Sequence, residues 1–376
     1  MKLVLIPDSF KGTLSSAEIC QLLEEKARIY FPDCEAVSVP VADGGEGSVD
    51  AFITAVGGEK EYVTVKGPFF EDMEAYYGLI DGGNTAVIEM AACAGLPLVE
   101  ERKDPEKTTT YGVGQLILAA AGKGVKKIIV GLGGSCTNDG GCGAAAAAGI
   151  KFYDKNGNEF VPTGGNTAEI EKIDLSGRDP VLDGVEIVTM CDIDNPMYGP
   201  SGAAHIFGPQ KGADENMVLA LDEGIKNLSR VITETTGKDI SQVPGSGAAG
   251  AMGAGMIAFF GSRLQMGIQT VLDTVKFDEM IADADYIITG EGKLDSQSLR
   301  GKVVIGIAER AKKQGRRVIA IVGGAEDKEI GSAYEMGVTA VFPINRLPQD
   351  FSVSRHHSRE NLSWTADNIF RLIAAK

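Results

Sequence analysis

Short blocks of glycine mixed with a carboxylate, a lysine or an amide punctuate this sequence, and most fall where a β-like run turns into a helix-like one. Glycine accounts for 49 of 376 residues, nearly twice an average share of about 7%. The glycines follow no repeating period, which excludes a collagen-like rod and points to many close backbone approaches. In open α/β sheets, turns of this kind at the carboxyl ends of strands are where ligands bind. The helix N-termini that follow them favour anions.

The elements between the blocks predict an α/β chain. Lys2–Ile6 reads as a buried strand, and Ser15-Ser16-Ala17-Glu18 is a capping-box pattern opening a helix that stops before Pro32. Ala36–Val39 is a second strand, and a second helix runs from Gly45 to Val56, ended by Gly57-Gly58. The grammar then changes. Glu61–Lys66, Glu74–Ile80 and Thr85–Met90 read as antiparallel strands joined by short turns. From Asp285 onward strands and helices alternate again, closing with an amphipathic helix over Asn361–Ala374, on which Trp364 reads as core or interface. The expectation is two domains. A discontinuous Rossmann/flavodoxin-like α/β domain is built from residues 1–58 and 280–376, and a mixed α+β domain, 59–279, is inserted in it. The active site is expected in the cleft between them.

Six blocks could carry chemistry, although each can also be read as a capped turn. The loop after the first strand holds Asp8, Ser9 and Lys11, the last a point charge suited to phosphate. Asp43-Gly44-Gly45-Glu46-Gly47 follows the second strand. Gly131 to Gly141, with Gly133, Gly134, Ser135, Asn138 and Asp139, can form an anion nest, and its amide and carboxylate could reach a metal or a hydroxyl. Asp192 and Asp194, two apart after a strand, suit Mg²⁺ or proton abstraction. Lys211 precedes a helix. Glu291, Lys293, Asp295 and Gln297 form the sixth block, followed by Gly301-Lys302.

Other signals exclude function classes. Lys plus Arg is 36 against 52 for Asp plus Glu, a net charge of −16. That balance argues against nucleic acid or an anionic membrane as partner. Gly245-x-Gly247-x-x-Gly250 lacks the preceding strand that a dinucleotide fingerprint requires, leaving a generic phosphate loop or helix packing. Three histidines give no basis for a His-ligated zinc site or a Ser-His-Asp triad. Six cysteines without a C-x-x-C pair read as free thiols in a reducing cytoplasm. Four apolar residues between Lys2 and Pro7 are too few for a secretory segment. Ile240–Ser262 carries no charge, but its six glycines predict a tightly packed soluble helix rather than a membrane span.

Asp8–Ser15, Ala42–Gly47, Gly131–Gly141, Cys191–Pro196, Phe207–Ala213, Gly245–Gly250 and Thr289–Gln297, in this order and spacing, resemble the type I bacterial glycerate kinases over the whole chain. The resemblance implies a two-domain α/β kinase. It would move phosphate from ATP, with Mg²⁺, to D-glycerate by in-line transfer, with 2-phosphoglycerate favoured over 3-phosphoglycerate. One departure is Cys136, where relatives often carry a small residue, and a thiol-sensitive site is the expectation there.

Phosphoryl transfer asks mainly for positioning and charge stabilisation. On this reading Lys11 and Lys211 contact phosphate or the glycerate carboxylate. The Gly131–Gly134 and Gly245–Gly250 loops cradle nucleotide phosphates. Asp43, Asp192 and Asp295 form a carboxylate pool divided between Mg²⁺ (Asp192 and Asp43) and general base, with Asp192 slightly favoured as base. Asp8, Ser9, Gly44, Gly45, Ser135, Asn138 and Glu291 complete the binding set. Two alternatives stay open: a kinase for another small hydroxy acid, and a non-catalytic binder of an anionic metabolite. A homo-oligomer is compatible with the sequence.

Overall fold

The computed structural model describes residues 1–41, 44–347 and 349–375. The chain is mixed α/β, with three sheets among the described residues, and divides into two compact units: 1–42, 54–56 and 266–376, and 43–53 and 57–265.

The first unit is built on a five-stranded parallel sheet in the order Val338–Pro343, Val318–Val322, Tyr286–Glu291, Lys2–Leu5, Glu35–Ser38. Val318–Val322 is buried at every position, which is why it is a continuous apolar run instead of an alternating one. The helix Ser16–Tyr30 opens on the expected capping box, with the Ser15 hydroxyl accepting the Glu18 N–H at 3.3 Å and the Glu18 carboxylate accepting the Ser15 N–H at 2.9 Å. Its Ile19 and Leu23 share one core with Leu362 and Phe370 of the closing helix Ser358–Ala374. Trp364 does not belong to that core: it is 53% exposed, with the Arg346 guanidinium 5.2 Å from its ring centre.

The second unit holds a six-stranded sheet, ordered Arg263–Gln265, Glu186–Met190, Lys127–Gly131, Thr85–Glu89, Asp72–Ile80, Glu59–Lys66. The first four strands are parallel and the last two pair antiparallel. A small sheet of Glu159–Phe160, Lys151–Tyr153 and Lys172–Asp174 was not legible, because strands of two or three residues show no period. The charge-free stretch forms the helix Ala248–Phe260, buried nearly throughout. Among the described residues no helix is long and apolar enough to cross a membrane. That helix opens unusually: Ala249, Gly250 and Ala251 lie at φ 53°, 68° and 65°. A left-handed residue with a Cβ costs roughly 1–2 kcal/mol, so surrounding contacts must hold this turn in place.

Candidate active site

In the second unit, four of the blocks and the Gly245–Gly250 loop converge at the carboxyl ends of two paired strands. Met190 ends Glu186–Met190 directly beside Gly131 of Lys127–Gly131. Gly44 and Gly45 lie backbone-on-backbone against the latter loop. The Gly133 N–H donates to the Gly44 carbonyl at 3.1 Å, and a Cβ on Gly133 would sit 2.5 Å from the Gly45 Cα. Only glycine permits that approach. Gly245 and Gly247 pack on the loop after Met190, where the Gly247 N–H donates to the Asn195 carbonyl at 2.9 Å. These loops, with Phe207 and Lys211, line an open cavity of about 270 Å³ whose lining includes Gly45, Gly133, Ser135, Asp192 and Ala249.

Lys211 is the chemically distinctive group of this cavity. It is 1% exposed, and its ammonium donates to the Ser135 Oγ at 2.9 Å and the Thr137 carbonyl at 2.6 Å. Burial pulls its amine down to about 8, an effect that the nearby Asp139 opposes. A desolvated ammonium lining a small cavity is a strong anion partner, because the surrounding dielectric screens it little. Asp192 is half-buried on the same cavity, and Asp194 is exposed.

Asp139 is engaged within the protein, not turned outward as a ligand. Its fully buried carboxylate accepts from the Thr110 N–H and hydroxyl at 2.8 Å each, the Gly141 N–H at 3.1 Å and the Gly143 N–H at 3.2 Å. It is a strut that ties the glycine loop to the start of the helix Tyr111–Gly122. Burial raises its carboxyl, and those four donors oppose the rise. Asn138 is fully buried, and neither atom of its amide has a partner among the described residues. The left-handed turn presses on it, a Cβ at Gly250 falling 2.1 Å from the Thr137 carbonyl. Cys136 does not expose a reactive thiol: it is 1% exposed, and burial pushes it up to about 12. Thiol attack needs an accessible thiolate, so the expected sensitivity is corrected.

The first unit gathers the other two blocks at the ends of its central strands. The Asp8 N–H donates to the Gly290 carbonyl at 2.8 Å, bringing Asp8 beside Glu291. Asp8 accepts the Ser9 N–H at 2.7 Å, and Lys11 is exposed. Asp295 caps the following turn through the Gln297 and Ser298 N–H groups at 2.9 and 3.3 Å. Lys293 turns outward to Glu326 at 2.7 Å. Glu291 is 7% exposed, and its Oε1 has no partner among the described residues. Burial is the main cause that pushes its carboxyl up to about 7. Asp8 and Asp295 add to the rise, while Ser298 and Lys302 oppose it. Asp43 lies outside the described residues.

Two contributors carried no usable sequence signal. Glu89, at the end of an apolar strand, is 1% exposed and accepts the Gly47 and Val49 N–H groups at 3.2 and 2.6 Å, anchoring the Gly44–Gly47 block. Ser298 holds the loop after Glu291 by donating to the Lys293 carbonyl at 3.2 Å. Glu89 could have been suspected only as a lone carboxylate in a buried strand.

Comparison with known proteins bears on the whole chain. A sequence profile described as Glycerate kinase family matches residues 3–374. The chain is 47% identical over 345 residues to Glycerate 2-kinase of Escherichia coli (strain K12), covering 92% of this chain and 90% of that one. It is 43% identical over 370 residues to Glycerate kinase of Bacillus cereus, covering 98% and 97%. A crystal structure from Salmonella typhimurium LT2, of a chain assigned as glycerate kinase 2, superposes with a TM-score of 0.87 at 39% identity, covering 100% of this chain and 98% of that one. With matches of this extent, the chain belongs to the glycerate kinase family.

Proposed function

We propose that this protein phosphorylates D-glycerate with ATP and Mg²⁺ by in-line transfer, favouring 2-phosphoglycerate. The observation that carries the reading is the cavity of the second unit, where a buried ammonium, Lys211, stands among glycine loops that leave backbone room for phosphates. Phosphoryl transfer needs little covalent help from a protein, and positioned cations and dipoles supply most of it. Among the described residues no three His, Cys, Asp or Glu side chains are grouped to hold a metal. Mg²⁺ does not require such a cage, since it keeps several waters and takes one or two carboxylates together with substrate phosphates. Asp192 on the cavity fits that requirement, with Asp43 as the second candidate. Bound magnesium would neutralise charge on the phosphate oxygens.

Lys211 and Lys11 hold phosphate or the glycerate carboxylate in this reading, the Gly131–Gly134 and Gly245–Gly250 loops cradle the nucleotide, and Asp192, Asp43 and Asp295 are the carboxylate pool. Dependence on ATP and the free buried thiols fit a cytoplasmic setting.

A coupled ADP-release assay with D-glycerate, ATP and MgCl₂ tests the proposal, with phosphorus NMR on the product. Turnover that vanishes with EDTA, and a phosphorus signal coupled to the C2 proton, are the expected results. Turnover only with other hydroxy acids in a substrate panel would reassign the acceptor. Binding of glycerate without ADP release would reduce the protein to a metabolite binder.

A further inference from the structure

We infer that Glu291 is the general base of the reaction, accepting the proton of the acceptor hydroxyl on its Oε1 directly or through one water. The inference deepens the kinase reading and rests on it. Three of the buried carboxylates, Asp139, Glu89 and Glu291, belong to the glycine blocks or anchor one. Asp139 spends its oxygens on four donors and Glu89 accepts two backbone N–H groups. Each is therefore a satisfied strut. Glu291 ends the central strand Tyr286–Glu291 with Oε1 unpartnered among the described residues, although the side chain is more than nine-tenths buried. A buried polar atom left unpaired destabilises the fold and calls for an explanation.

Its surroundings say what it could serve. Asp8, from the loop after Lys2–Leu5, and Asp295, from the loop after its own strand, place negative charge around it. Lys302, at the start of the helix Val303–Lys313, and the Ser298 hydroxyl oppose them. Next to two carboxylates, Glu291 repels a phosphate but accepts a proton readily. Burial, with Asp8 and Asp295 adding to it, pushes its carboxyl up to about 7, near the pH at which a base works best. In the step, the hydroxyl O–H bond breaks and its proton goes to Glu291. The freed oxygen forms the new bond to the γ-phosphorus of ATP as the bond to the leaving ADP breaks. The proton then returns to solvent. On this assignment Asp192 is not needed as the base and stays a candidate for holding magnesium.

The test is kcat and kcat/KM for D-glycerate from pH 5.5 to 9 with saturating MgCl₂, for the full-length wild type, Glu291→Gln and Glu291→Asp. Circular dichroism and thermal melts of each variant accompany the kinetics. The wild type is expected to gain rate tenfold per pH unit below an apparent value near 7 and to level off above it. Glu291→Gln should lose roughly 10²–10⁴-fold in kcat, with its residual rate flat across that range and the KM for ATP little changed. Glu291→Asp should keep the rising limb at reduced rate, and it decides the matter if the glutamine variant does not fold. A rising limb that persists unchanged in Glu291→Gln belongs to another group and overturns the inference while the kinase reading stands. No ADP release from the wild type with any hydroxy acid removes the kinase reading itself, and the inference with it.

Discussion

Replacing Lys211 by methionine separates what this residue does for the fold from what it does for the reaction. Its amine falls from 10.5 to about 8 because it is buried. At about 1.36 kcal/mol per pH unit, the folded state carries ~3 kcal/mol against it whenever the amine is charged. Below pH 8 both folded and unfolded chains are protonated, and the full cost is present. Between pH 8 and 10.5 the folded chain binds fewer protons than the unfolded one, so stability rises with pH; above 10.5 the cost is gone. Methionine removes this cost but strands the Ser135 hydroxyl and the Thr137 carbonyl, at roughly 1–3 kcal/mol each. The terms nearly cancel, and Lys211→Met should unfold within ~2 kcal/mol of the wild type in urea at pH 7. Repeating the titration at pH 10 should shift the difference by ~2–3 kcal/mol in favour of the wild type. Meanwhile kcat/KM for ATP should fall at least ~100-fold, the loss of a buried charge-assisted contact. A variant that loses more than ~5 kcal/mol at pH 7, by an amount indifferent to pH, would refute the argument about the charge. Unchanged kinetics would refute the phosphate role.

Other consequences are checked more simply. Ser15→Ala removes one half of the capping box and should cost ~1 kcal/mol, read as a lowered urea midpoint with unaltered slope. Asp139→Asn points an amide donor at N–H groups that now meet a carboxylate and should cost more than ~3 kcal/mol, measurable by calorimetry. All six thiols are buried, so a disulfide reagent such as DTNB should label the native protein on the timescale of unfolding, and label it at once in denaturant. Rapid labelling of native Cys136 would contradict its placement.

The parts legible in the sequence were those determined locally. Ser15 and Glu18 are three residues apart, so their mutual capping is written in four letters. The glycine blocks announced themselves because a glycine that must let two backbones touch has no substitute, as at Gly133 against Gly45. Roles inside the blocks were less legible, because they depend on partners distant in the chain. Asp139 read as a free carboxylate, yet its first donor, Thr110, is 29 residues away, and Glu89 lies 40 residues from Val49. Nothing within either block distinguishes a satisfied carboxylate such as Asp139 from an unsatisfied one such as Glu291. Of the two readings of Trp364 the core one fails, because an amphipathic pattern identifies a buried stripe but not where an aromatic at its edge will turn.

The left-handed opening of the helix Ala248–Phe260 has a kinetic consequence. Ala249 and Ala251 oppose their own local preference, so this turn cannot nucleate and must wait for Thr137 and Asn138 to be in place against it. The expected order of assembly follows: the Lys127–Gly131 and Glu186–Met190 strands and their loops before this wall of the cavity. Ala249→Gly should therefore alter the unfolding rate and leave the refolding rate unchanged, as stopped-flow chevrons would show. An equal change in the refolding arm would mean that the turn belongs to the folding nucleus. A cavity completed in the last step is held by the whole fold and not by its own segments, so the folding transition state would still lack a formed binding site.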